Sequence, residues 1–338
     1  MSSTIPKAVL YYSPQSVWSA AALLALAEKG YGHDEVDLKI VDLAKGENFA
    51  PSFLRLSAKA NVPALVVPLR KTLASDVESR YKAVADPKAL VEFLDKSRSA
   101  ISHTHTTSAA PAPALAPATI AFSTLSAKII DTLHSDAASP DTLLYTNARD
   151  AASLRALAPV VLPSLRGRAL ALAGYLKQNE TEDIRVSKKV QAFWEDKLAA
   201  VQALLDVFEN ADKENDALKY YFANAAHVWG EPLHAILRQL SVDIVGPYVL
   251  GDQFSLVDIH LAAWLAHLVA LSGGDASDDG ATAIGKLEAH AGIALPKDAA
   301  VQDSAQRPDA PQQSKLAVFW TAVKEKPSWQ KVYSEGLY

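Results

Sequence analysis

Pro63 opens an apolar run, Ala64-Leu65-Val66-Val67, that otherwise reads as a buried β-strand. Proline gives no N–H to a sheet ladder, so inside a sheet it is confined to edges, bulges or the first residue of a strand. A cis Val62–Pro63 bond reconciles the two. Such a bond would turn the N–H and C=O of Val62 outward, where an extended peptide could pair with them. The flanks fix the context. Upstream are a strand from Ala8 to Tyr12, a Ser/Pro loop from Ser13 to Ser16, an apolar helix ending at Glu28-Lys29-Gly30, and a second strand from Glu35 to Leu43. Downstream, a helix opens at Asp86-Pro87, with proline in the first turn where its missing N–H costs nothing.

Composition excludes several classes of function. The chain has 338 residues, 49% of them apolar, and a net charge of −5 without a block of like charges. That is enough chain for two domains, and nothing in it asks for a polyanion; no nucleic-acid partner is expected. There is no cysteine, which removes disulfides, thiolate metal sites and cysteine nucleophiles. Met-Ser-Ser-Thr-Ile-Pro-Lys runs into the first strand with no secretory signal. The apolar helix Leu256 to Leu271 carries Asp258, His260 and His267 and is too short and polar to span a bilayer. A cytoplasmic protein with no membrane partner is expected.

Residues 1–99 mix strands and helices. Residues 100–119 are rich in Ser, Thr, Ala and Pro and read as a linker. Residues 120–338 carry helical periodicity almost throughout, as in Phe122, Leu125, Ile129, Ile130 and Leu133. Within this part, Gly251-Asp252-Gln253-Phe254-Ser255-Leu256-Val257-Asp258 contains a capping box, Ser255 to Asp258, ahead of a helix apolar on nearly every face. The final helix runs from Ser314 to Lys324 and ends before Pro327.

The Val-Pro strand followed at this distance by the Gly-Asp-x-x-Ser-x-x-Asp box resembles the glutathione transferase superfamily, in its serine-type classes, from about Ala8 to Tyr333. Lys326-Pro327-Ser328-Trp329 is similar to the family's closing segment. The long stretch Asp141 to Gln178 is similar to the insertions of fungal groups and of the ganglioside-induced differentiation-associated branch. The resemblance implies a thioredoxin-like α/β domain over 1–99, which binds glutathione, and an all-α substrate domain over 120–338.

It also implies roles. Glutathione's thiol would lie at the N-terminus of the first helix, where backbone N–H groups and the helix dipole favour a thiolate. Counting back from Glu28-Lys29-Gly30 places Ser16 at the catalytic serine. Ser13 and Ser19 are the alternatives, Trp18 would wall the pocket, and the structural reading of Ser16 is a helix N-cap. Tyr11 and Tyr12 lie on the strand. Val62 before Pro63 would pair its backbone with the tripeptide. Asn61, with Lys59 or Lys45, would face a ligand carboxylate, and Asp86 would meet its ammonium. Pro87 departs from the family's pattern, which has a serine there to grip the γ-glutamyl carboxylate. Glu78-Ser79 is the weaker match to that motif.

No metal site is expected. His103 and His105 lie in the linker, and His227/His234 and His260/His267 are seven apart rather than the four of metal-binding helical pairs. Arg149, Arg155, Arg166 and Arg168 read as surface charges, with anion contact the alternative; Trp194, Trp229, Trp264 and Tyr175 read as core. The implied activity is conjugation of glutathione thiolate to an apolar electrophile, with glutathione as co-substrate. The alternative is a non-catalytic ligand-binding or interaction protein of the same fold. The family also implies a homodimer, with the polar loop Arg70 to Tyr81 near the contact.

Overall fold

The computed structural model describes residues 7–68, 81–99, 108–211, 213, 216–298 and 312–337. Strands β1 (Ala8–Tyr12), β2 (Val36–Ile40), β3 (Ala64–Pro68) and β4 (Tyr81–Val84) form one sheet in the order β2-β1-β3-β4. β3 is antiparallel to β1, with Leu10 opposite Leu65 and Tyr11 opposite Ala64. It is also antiparallel to β4, with Leu65 opposite Val84 and Val67 opposite Lys82. Ala64, Leu65 and Val67 are buried although successive side chains point to opposite faces. A strand covered on both faces reads as an unbroken apolar run rather than an alternating one. Between and after the strands come α1 (Val17–Glu28), α2 (Pro51–Leu54) and α3 (Pro87–Ser97).

The remainder is helical: α4 (Ile120–Leu133), α5 (Pro140–Tyr145), α6 (Ala151–Glu180), α7 (Lys188–Glu209), α8 (Asp216–Gly230), α9 (Pro232–Asp243), α10 (Leu256–Leu271), α11 (Gly280–Ala291), α12 (Lys315–Lys324) and α13 (Pro327–Val332). The chain thus has a thioredoxin-like α/β order at its N-terminal end and an all-α part after it. The second strand is shorter than the 35–43 expected from sequence. The helix expected from Ser314 to Lys324 is present as α12, capped by Ser314, but it is not the last, because Pro327 starts α13 at its first helical turn.

By contact density the chain divides into two compact units, each assembled from separate segments. One comprises Met1–Ser13, Asp37–Asp86 and Leu143–His227; the other comprises Pro14–Val36, Pro87–Thr142 and Val228–Tyr338.

In the first unit, α6 and α7 pack along each other around Leu154, Val161, Leu165, Leu172, Trp194, Val201 and Phe208. Phe49 and Ala60 join that cluster from the chain before β3. The backbones come very close: a Cβ on Gly167 would strike the carbonyl oxygen of Ala44. α6 was not foreseen as the longest apolar helix. At 30 residues, it is long and apolar enough to cross a membrane by length and composition.

In the second unit, α10 is the central element, buried at every residue from Leu256 to Val269. Its start is held by the expected capping box. Asp258 Oδ2 accepts from the Ser255 N–H at 2.7 Å and hydroxyl at 2.6 Å, and Oδ1 accepts from the Val249 N–H at 2.7 Å. Residues 108–119 are irregular but tied down. The buried Lys29–Asp95 ion pair, 2.8 Å, sits under it, with Lys29 Nζ also donating to Pro113 O. Asp95 accepts from the Leu115 and Ala116 N–H groups, and Arg98 donates to Ser108 O and Ala110 O.

Candidate functional site

Within the first unit the segment before β3 is built in detail. The Val62–Pro63 bond is cis, as the sequence led us to expect, and both residues are buried. Among the described residues, neither the N–H nor the C=O of Val62 has a backbone partner. The turn that delivers it is held on both sides. Ala60 takes a left-handed backbone, φ 56°, which disfavours a residue with a Cβ. Its carbonyl accepts from Asn48 Nδ2 at 2.9 Å, and the next N–H, of Asn61, is accepted by Ser57 Oγ at 3.0 Å. The chain carrying Asn48 is fixed in turn by α7 and α6. Trp194 Nε1 donates to Phe49 O at 3.0 Å, and Arg168 donates to Leu43 O and to the Tyr145 hydroxyl.

Asn61 and Lys59 are exposed beside this turn, and Lys45 is exposed and paired with Asp42 at 2.9 Å. Asp86 is exposed just ahead of α3, and Ser13 is buried after β1. Tyr12 stays within the strand frame, its carbonyl accepting from Val41 N. Glu78, Ser79, His103 and His105, with nearly all of the loop from Arg70 to Tyr81, lie outside the described residues.

Within the second unit, Ser16 is the N-cap of α1. Its backbone is extended, φ −99° and ψ 121°, and its Oγ accepts from the Ser19 N–H at 3.3 Å. A serine oxygen has two lone pairs and one proton, so capping leaves its O–H able to donate elsewhere. The first-turn N–H groups of Val17 and Trp18 have no carbonyl one turn back within the helix, and they lie at the positive end of its dipole. Ser19 is fully buried within the helix, whereas Ser16 is half-buried. Trp18 stacks on His134, with ring centroids 3.7 Å apart and planes 18° from parallel.

Sequence reasoning missed Asn48, Ser57 and the part played by Trp194 and Arg168. Asn48 sits in a short 3-10 turn with no periodicity, and the Trp194–Phe49 and Arg168–Leu43 bonds join residues more than a hundred positions apart. Arg168, considered as a surface charge or anion contact, is instead half-buried and spent on a backbone carbonyl and a tyrosine. The His134–His260 pair was equally invisible, its rings 126 positions apart in sequence. Trp194, Trp229 and Trp264 are fully buried core residues, and Tyr175 stacks on Trp194. Among the described residues no group of three His, Cys, Asp or Glu side chains could hold a metal ion.

No protein-family model and no curated protein matches the sequence. Solved structures do. Glutathione transferase F7 from Populus trichocarpa aligns over 97% of this chain and 98% of its own, at 14% identity and a TM-score of 0.47. Glutathione transferase Omega 3C from Trametes versicolor aligns over 97% and 89%, at 17% identity and a TM-score of 0.45. A glutathione transferase homolog from Sulfitobacter, solved with bound glutathione, aligns over 97% and 98%, at 17% identity and a TM-score of 0.41. Likeness at this distance transfers neither residues nor activity.

Proposed function

We propose that this chain is a serine-type glutathione transferase that adds the tripeptide's thiolate to an apolar electrophile. The observation that carries this reading is Val62: buried at the head of a central antiparallel strand, with an N–H and a C=O that the sheet does not use. An edge of that kind suits the main chain of an extended peptide. Asn48 and Ser57 hold it in place before any ligand arrives, so binding need not order the turn.

Ser16 supplies the chemistry in this reading. Its O–H donates to the sulfur, and the dipole of α1 favours the anion over the neutral thiol. The thiolate then attacks the electrophilic carbon, forming the S–C bond as the leaving group departs with the electron pair. Asn61 and Lys59 are the polar groups beside Val62 for a ligand carboxylate, and Asp86 the carboxylate for its ammonium. Without a cysteine, the chain has no protein thiolate for the mixed-disulfide chemistry of cysteine-type relatives.

One observation favours a second reading, a non-catalytic protein that keeps the fold. Pro87 occupies the first position of α3, so neither a hydroxyl nor an N–H is present there to grip a γ-glutamyl carboxylate. Calorimetric titration of the full chain with glutathione separates the two. Saturable heat with a dissociation constant in the millimolar range or tighter is expected; absence of heat and of any thermal shift at millimolar glutathione selects the second reading.

A further inference from the structure

In the second unit, α3, α4 and α10 line a pocket of about 160 Å³, open to solvent on one side, formed by Lys88, Val91, Glu92, Ala127, Ile130, Asp131, Leu256 and His260. Its floor is buried: Val91 and His260 are each 1% exposed and Leu256 is 7% exposed. Ala127, Glu92 and Asp131 are exposed and form its rim. The charges on that rim are already matched. Lys88 Nζ lies 2.8 Å from Asp131, and Glu92 lies 3.0 Å from Lys96.

The polar group at depth is His260. Its Nδ1 is 3.1 Å from Nε2 of His134, so Nε2 is the ring nitrogen not engaged in that pair. Burial first, then the neighbouring His134 and Lys88, holds the imidazole down to about 3, so the ring is neutral at pH 7. A neutral imidazole in this pair has one remaining nitrogen, a donor or an acceptor according to which ring carries the shared proton.

We propose that this pocket is a binding site for a small neutral phenol or similar one-ring alcohol, held through its hydroxyl on His260 Nε2. Size, charge and polarity each narrow the class. An apolar cavity of about 150 Å³ accepts one benzene ring. Val91, Ile130 and Leu256 supply the apolar wall for such a ring. A net charge on the ligand would have to break the Lys88–Asp131 or Glu92–Lys96 pairing, so a neutral molecule is favoured. A hydroxyl both donates and accepts, and therefore satisfies His260 in either tautomer. Occupancy would be sensed at Trp18 through the stacked His134. The proposal uses neither Ser16, Val62 nor Asp86 and does not rest on the glutathione reading.

The test is an NMR titration of the full chain with phenol, using toluene as the isostere without the hydroxyl. Saturable shifts at the His260 ring and the Trp18 indole are expected at millimolar phenol. Ala127→Phe places a ring over the rim from an exposed helical position, so the fold is retained, and phenol shifts should vanish. His260→Leu should weaken phenol by about tenfold or more while leaving toluene bound, since a buried hydrogen bond is lost but apolar contact is kept. No saturable shift in the parent chain overturns the proposal, as do unchanged phenol shifts in Ala127→Phe. Equal loss of phenol and toluene in a folded His260→Leu protein also overturns it. If that variant fails to fold, Ala127→Phe decides alone.

Discussion

Ser16 carries two duties whose costs can be separated. As the cap of α1 it accepts from Ser19 N–H, and removing such a cap costs about 1 kcal/mol of stability. As a thiolate donor it would contribute about 1–3 kcal/mol to the transition state, or roughly fivefold to more than a hundredfold in rate. Ser16→Ala is therefore expected to lower kcat/KM for a generic electrophile by at least about fivefold while the melting temperature falls by only a few degrees. Steady-state assays beside a thermal melt give both numbers. A variant that melts lower but conjugates as fast as the parent would make Ser16 a cap only, and Ser13 and Ser19 the next residues to test. Both are buried, Ser19 inside the helix, which leaves the half-buried Ser16 best placed of the three to meet a ligand.

At the scale of the element, α10 sets how stability responds to acid, because it buries two titrating groups of opposite behaviour two residues apart. His260 is held down to about 3 from an ordinary 6.5, mainly by burial. Its unfolded form takes up a proton first, so its contribution is complete above pH 6.5 and declines as pH falls toward 3. Asp258 is pushed up to about 6 from 3.8 by burial, against the pull of its hydrogen bonds from Ser255 and Val249. Here the folded form takes up the proton first. Its contribution is complete below pH 3.8 and declines as pH rises through 6. Between pH 6 and 4 the two oppose each other. His260→Gln removes one of them, so the difference in urea midpoint between variant and parent should move in the variant's favour from pH 7 to pH 4. Parallel midpoints across that range would show that His260 does not titrate as its burial requires.

For the whole molecule, the expectation that remains is assembly. Closed two-fold dimers are the commonest oligomers, and the family resemblance implies one here. We propose a homodimer, and light scattering at micromolar concentration should return about twice the chain mass of 36.2 kDa. A monomer only would remove it, whatever the fate of Ser16. The long helices α6 and α7 bear on the same question. α6 exposes Val160 and Leu170 at 70% and 77%, and on the same side, between them, a Cβ at position 167 would strike the carbonyl oxygen of Ala44.

The sequence by itself determined the parts governed by local chemistry. Proline at the head of an apolar run fixed where β3 begins, the Ser255–Asp258 spacing fixed the start of α10, and Ser16 before an alanine-rich run fixed the cap of α1. These rest on backbone hydrogen-bonding and dihedral rules that act within a few residues. Tertiary structure alone decided what holds those parts in place. The carbonyl of Ala60 finds Asn48, Phe49 finds Trp194, and His134 finds His260, through contacts that no spacing along the chain encodes. A side chain's partner across 12, 145 or 126 positions is set by how helices pack, and packing is the sum of many weak contacts rather than a local rule.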